Sequence, residues 1–175
     1  MQPTIQTFGG QYFDFRAPDE HTFDIEEIAH ALSNICRFTG HVHSFYSVAQ
    51  HSVLVSHLVP IAYRKQGLLH DAHEAYVGDM AAPLKMLLPA YRDIERACEI
   101  ALRNAFNVPM TFAPCVKQAD LQALQTERLS LMTIDRSDNW AELNHITPAP
   151  GFLQPLPPKQ AFFQFMDTWQ VVRND

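Results

Sequence analysis

The segment Gly67-Leu68-Leu69-His70-Asp71-Ala72-His73-Glu74-Ala75-Tyr76-Val77-Gly78-Asp79 sets five ionisable side chains, His70, Asp71, His73, Glu74 and Asp79, among residues that suit a buried helix. Buried charge is costly unless it is paired or bound to a metal, so the combination needs a chemical reason. On a helix, His70 and Glu74 lie four residues apart and share one face, with Asp71 beside them one residue round the turn. An adjacent imidazole and carboxylate can ligate one divalent cation, and a glutamate a turn further on can handle a proton from a water at that ion. Two ligands rarely hold a catalytic ion, so other helices must supply another histidine and further carboxylates. Without them, His70 and Asp71 reduce to a hydrogen-bonded pair inside a helical bundle.

The elements that must position these groups read mostly as helices. Residues 4 to 23 carry Gly9-Gly10, Pro18 and aromatics at Phe8, Tyr12, Phe13 and Phe15, which predicts a short hairpin or extended arm. Asp24 is a candidate N-cap for a first helix over about 25 to 37, with Glu26 and Glu27 in its first turn and Ile25, Ile28, Ala29, Leu32 and Ile35 at helical spacing. A Gly-containing break follows, holding Arg37, Phe38, His41 and His43. A second helix over 44 to 58 contains His51 and is closed by Pro60. The third is predicted to run unbroken from 61 to 77 and to end at Gly78-Asp79, before a turn at Pro83 that brings back Lys85.

Residues 91 to 106 form an amphipathic helix on Ile94, Ala97, Cys98, Ala101, Leu102 and Ala105, and no chemistry is evident in it. Another long helix covers 112 to 133, with Asp120 and Glu127 seven residues apart and hence on one face. Six residues of Pro or Gly between 144 and 158 make a loop that no helix crosses, and a last helix over 159 to 172 packs back on the bundle. The expected architecture is all-α with a short N-terminal extended or hairpin segment: one domain over 1–175, with its core at about 24–135 and a C-terminal loop and packing helix at 144–175.

A chain of 175 residues with 47% hydrophobic and 18% charged residues buries an ordinary globular core, and no apolar run is long enough to span a bilayer. The N-terminus lacks the basic and apolar regions of a secretory signal, and Cys36, Cys98 and Cys115 form neither a CxxC pair nor an even set, so a cytoplasmic location with free thiols is expected. A net charge of −6 without a Lys/Arg run argues against a duplex-binding surface. It leaves room for a small phosphorylated ligand. The sequence contains no GxxxxGK, GxGxxG or GxSxG motif and no internal repeat.

His51 on one helix, His70-Asp71 on the next and a lone Asp120 some fifty residues on form a pattern that resembles the HD-domain metal-dependent phosphohydrolases. It is most similar to the bacterial 5′-deoxynucleotidase branch and its phage relatives, which include deoxynucleoside triphosphate hydrolases. Four stretches carry the resemblance: Arg37-Phe38, Ser47 to Ser52, Leu69 to Asp79, and Ala119-Asp120-Leu121. The resemblance implies that His51, His70, Asp71 and Asp120 bind one divalent ion, Mn, Co, Fe or Zn. It implies that Glu74 and Asp79 handle protons and position water or leaving group, and that Arg37 holds substrate phosphate. Lys85 would add a second positive contact. Phe38 stands where related nucleotidases often carry tryptophan, so contacts to base or sugar differ there.

The activity so implied is removal of phosphate from a 5′-deoxynucleoside monophosphate by a metal-activated water. The alternatives are a deoxynucleoside triphosphate triphosphohydrolase, decided by where Lys85 and Arg92 reach, and a non-catalytic nucleotide-binding protein. A homodimer is the oligomeric state the resemblance suggests. His41, His43 and His73 lie outside the four metal positions and read as hydrogen-bonded structural residues or as contacts to substrate or a second ion.

Overall fold

The computed structural model describes residues 2–134, 138–151 and 153–174, so the predicted end of the core at 135 lies outside the described residues. The patterning is matched by a predominantly helical fold. Among the described residues the strands are β1 (Thr4–Gln6) and β2 (Tyr12–Asp14), an antiparallel hairpin in which Ile5 pairs with Phe13. Phe13 is fully buried and stacks on Tyr76 with ring centroids 4.5 Å apart, which fastens the hairpin to the helices. A buried Phe contributes on the order of 1.5–3 kcal/mol.

Asp24 caps α1 (Ile25–Asn34), its carboxylate accepting from the Glu26 N–H. The helix stops three residues short of the predicted 37. Ile35 turns extended, the Arg37 N–H donates to the Tyr46 carbonyl and the Val48 N–H to the Ile35 carbonyl, so a bridge between Cys36 and Ser47 replaces the last turn. Periodicity cannot reveal such a bridge, because its partner lies across the loop. Arg37–Gly40 then forms a tight turn in which Phe38 and Thr39 adopt φ of 55° and 54°.

The second helix, α2 (Val48–Leu58), starts four residues later than predicted, at the point where the Ser47 hydroxyl accepts the Gln50 N–H. The third predicted helix is divided. A short 3₁₀ turn at Ile61–Tyr63 leads into α3 (Arg64–Leu69), and α4 (Glu74–Val77) follows a turn over residues 70–73. There the Ala72 N–H donates to Leu69 and the Glu74 N–H to Asp71, three residues back. Three-residue winding replaces the 3.6-residue period, so the helical face inferred for His70 and Glu74 does not describe the segment. It is the turn that aims them.

After α5 (Ala82–Lys85), two longer helices begin with proline, which loses no helical hydrogen bond there: α6 (Pro89–Ala105) and α7 (Pro114–Leu131). The last, α8 (Pro158–Val172), starts the same way and belongs to the core itself, for Ala161, Phe165 and Val172 are buried with Ile28, Leu32 and Leu68. A second cluster joins Val55 and Val59 of α2 to Val116, Ala119 and Ala123 of α7. This contact lays the face of α7 bearing Asp120 and Glu127 against His51. No helix among the described residues is long and apolar enough to cross a membrane.

Candidate metal centre and cleft

Three elements converge on one group of ligand atoms. His51 comes from the middle of α2 and is fully buried; His70 closes α3; Asp120 lies one and a half turns into α7. One ligand atom from each lies within 4.8 Å of the others. Nε2 of His51 is 3.2 Å from Nε2 of His70 and 3.4 Å from Oδ1 of Asp120. Asp71 joins them, with Oδ2 3.1 Å from His70 Nε2 and 3.5 Å from His51 Nε2. The four residues singled out as ligands are thus gathered at one point.

The outer nitrogens of both rings are already engaged. His70 Nδ1 lies 2.8 Å from the Gly67 carbonyl, which can only accept, so Nδ1 carries the proton and Nε2 presents its lone pair to the group. His51 Nδ1 lies 2.6 Å from Oε1 of Glu127. Two imidazole lone pairs facing each other at this distance repel unless a proton or a cation lies between them. With two nitrogens and two carboxylates around that point, the residues fit a divalent transition-metal ion.

Charge in the group is correspondingly displaced. Burial and the Arg37 charge disfavour the His51 cation, but Glu127 and Asp120 outweigh them and push its pKa up to about 9. Burial on its own would raise the carboxyls of Asp71 and Asp120; hydrogen bonds and charge from the facing imidazoles hold both below the usual range. Glu127, fully buried, also stays below its usual value against its burial, because Arg37 and His51 sit on its two oxygens. Arg37 Nε donates to Glu127 Oε2 at 3.0 Å while its Nη1 lies 3.9 Å from Asp71 Oδ2. Phe38 covers the guanidinium from 5.3 Å.

Glu74 is buried, and its Oε2 has no hydrogen-bond partner among the described residues. Burial first, then the charges of Asp71 and Asp79, push its carboxyl well above the ordinary range. Asp79 is half-buried, and its carboxyl is raised by burial and by Asp71 against the pull of Arg37.

The ligand group opens into a cleft of about 430 Å³ between the turn at 70–74, α6 and the start of α7. His70, Asp71, Glu74, Lys85 and Asp120 line it; Arg37, Phe38 and Asp79 do not. Lys85 is bonded to Glu95, which also faces His73 Nε2 at 3.6 Å. His73 therefore belongs to the cleft, whereas His41 and His43 are exposed and outside it. The helix that seemed to carry no chemistry supplies Glu95, Arg96 and Glu99 to the wall, together with Arg92, whose reach the sequence left open. Their spacing of three and four is a polar stripe opposite the apolar one, a signal present in the sequence but shared by any solvated helix face. Lys117, 2.8 Å from Asp120 Oδ2, and the ring of Phe112 were also missed.

The fold and site together define an all-α protein with a buried His/His/Asp cluster compatible with a metal site of the HD type. The chain belongs to the family of the uncharacterized protein YfdR of Escherichia coli, to which it is 43% identical over 164 residues, 93% of this chain and 92% of that protein. An uncharacterized protein of Rhodobacter capsulatus is 32% identical over 120 residues, 63% of this chain and 61% of its own length. No protein-family model matches the chain.

Proposed function

We propose that the protein is a metal-dependent nucleotide phosphohydrolase of the HD-domain class, with 5′-deoxynucleoside monophosphates as its first substrate reading. The observation that supports it is the facing pair of Nε2 atoms, 3.2 Å apart with both Nδ1 atoms engaged, enclosed by Asp71 and Asp120. His51, His70, Asp71 and Asp120 would hold one divalent ion, Mn, Co, Fe or Zn. A bound ion would supply Lewis acidity toward the phosphoryl group and toward water.

The chain's own groups do the rest. Glu74, its carboxyl raised and lining the cleft beside Asp71, is placed to handle a proton at the attacking water or the leaving oxygen. Arg37 keeps a buried positive charge beside Asp71 and fixes Glu127, which in turn holds the His51 ring in register. Lys85 lines the cleft wall paired with Glu95, so a phosphate there would have to share it with that acid, and Asp79 acts on the charge balance around Arg37.

A second reading, triphosphate release from deoxynucleoside triphosphates, is favoured by Arg92 and Arg96, which line the cleft beyond the ligand group. Phosphate and triphosphate release should be measured from nucleoside mono- and triphosphates, with Mn, Co, Zn or Mg added to metal-stripped protein. Inorganic phosphate supports the first reading and triphosphate the second. Silence with every metal would leave a non-catalytic nucleotide-binding protein. The homodimer belongs to the same proposal; Phe8, Tyr12 and Phe163 are exposed apolar surface for it, and light scattering at two concentrations tests it.

A further inference from the structure

The charges of the cleft divide unequally between partnered and unpartnered groups. On the wall, Glu95 is taken by Lys85 and His73, and Glu99 by Arg103. On the floor, Asp120 is taken by Lys117 and by the imidazoles. Every acid of the α6 wall is thereby compensated by a cation other than Arg92 or Arg96. These two arginines line the cleft, are exposed, and have no ion-pair partner among the described residues. Four residues apart on α6, they project from one face a single turn from each other.

We propose that Arg92 and Arg96 form a second anion subsite in the cleft, which takes the phosphates of a nucleotide beyond the one placed at the His51–His70–Asp120 centre. The assignment rests on the phosphohydrolase reading for what sits at the inner end of the cleft. A single phosphate needs only the cations nearest that centre, and a neutral base or sugar gives two adjacent guanidiniums no countercharge. A phosphate chain gives both. Its oxygens match the planar fork of each guanidinium, and two such forks one helical turn apart fit neighbouring phosphates of one chain. The subsite therefore favours the second substrate reading, nucleoside polyphosphates, over the first.

The probe is inorganic tripolyphosphate, titrated calorimetrically at low salt into full-length protein kept metal-free with EDTA, with orthophosphate in parallel. Tripolyphosphate should bind and orthophosphate should bind much more weakly. Arg92→Gln/Arg96→Gln should weaken tripolyphosphate by about tenfold or more, and Arg92→Lys/Arg96→Lys, which keeps the charge but loses the fork, by less. Both positions are exposed, so neither pair should change the circular dichroism spectrum or thermal midpoint. Wild-type protein that ignores tripolyphosphate, or a glutamine pair that binds it as wild type does, overturns the subsite. Should the glutamine pair fail to fold, equal binding by the lysine pair and wild type overturns the fork contacts. Turnover of nucleotides without tripolyphosphate binding removes the subsite alone, whereas tripolyphosphate binding without turnover under any metal removes the phosphohydrolase reading.

Discussion

Gly67 of α3 lies so close to Ser56 of α2 that a Cβ at position 67 would stand 2.9 Å from the Ser56 Cα. The two helices that carry His70 and His51 touch backbone to backbone at this point, and the Gly67 carbonyl is also the acceptor for His70 Nδ1. In an open helix, Gly to Ala would stabilise by about 1 kcal/mol. Here the neighbour is main chain and cannot rotate aside, so the helices must part. Gly67→Ala should destabilise by about 1–3 kcal/mol and weaken divalent metal binding disproportionately. Thermal melting with and without Mn or Co checks it; unchanged metal affinity would show that the close approach does not set the ligand geometry.

Glu127 links the centre to Arg37 without lining the cleft. Its Oε1 faces His51 Nδ1 at 2.6 Å and its Oε2 accepts from Arg37. Glu127→Gln keeps the shape but removes the charge that orients the imidazole. Metal affinity should fall by about 10–100-fold. Glu127→Ala, leaving Arg37 buried with its principal acid gone, should cost about 3–5 kcal/mol of stability. Metal titration and urea denaturation separate the two effects.

Metal uptake should depend on pH through His51. Its pKa in the metal-free protein is about 9, above the ordinary 6.5, so the proton stabilises the fold fully below 6.5 and that stabilisation is lost as pH rises through 9. An ion needs the unprotonated ring. Apparent affinity should therefore rise by up to about tenfold per pH unit toward pH 9 and flatten above it. Calorimetry in buffers of different ionisation enthalpy should show a proton released on binding at neutral pH. Binding that is independent of pH from 6 to 9 would contradict the arrangement around His51 Nε2.

Away from the centre, Glu27 anchors the hairpin. Buried, it accepts from the Tyr76 hydroxyl at 2.9 Å and the Gly9 N–H at 3.2 Å, and it faces His21 Nε2 at 3.2 Å. Burial alone would raise its carboxyl, but the Thr7 side chain together with these partners holds it below the usual 4.5. A depressed carboxyl contributes stability above its unfolded pKa and loses it as pH falls through the folded value. Glu27→Gln should cost about 1–3 kcal/mol at pH 7 and flatten the decline in stability below about pH 4.5. Urea midpoints between pH 3 and 7 check it.

The all-α class was legible because α1 and α6 carry clear apolar periodicity and α1 starts at a capping residue, Asp24, whereas the proline starts of α6 and α7 at Pro89 and Pro114 differ from the predicted 91 and 112. Such signals act within one turn, and one turn is visible in a sequence. His70 and Asp71 stood out by residue type, since ionisable groups set among apolar neighbours need a partner, whereas His51 and Asp120 stood out as ligands only through the resemblance. The turn at 70–73 was not legible, because no glycine or proline within His70-Asp71-Ala72-His73 marks the change to three-residue winding.

Sequence by itself therefore determined which residues are able to bind a metal and which segments wind into helices, both being properties of side chains and their near neighbours. Tertiary structure alone decided that the His51 ring of the centre is backed by Glu127 and, through it, by Arg37, ninety residues apart in the chain. It likewise decided that the polar stripe of α6 lines the cleft. A polar helix face looks the same in sequence whether water or a ligand site lies opposite. Only the packing of α6 against the turn that carries His73 and Glu74 distinguishes the two.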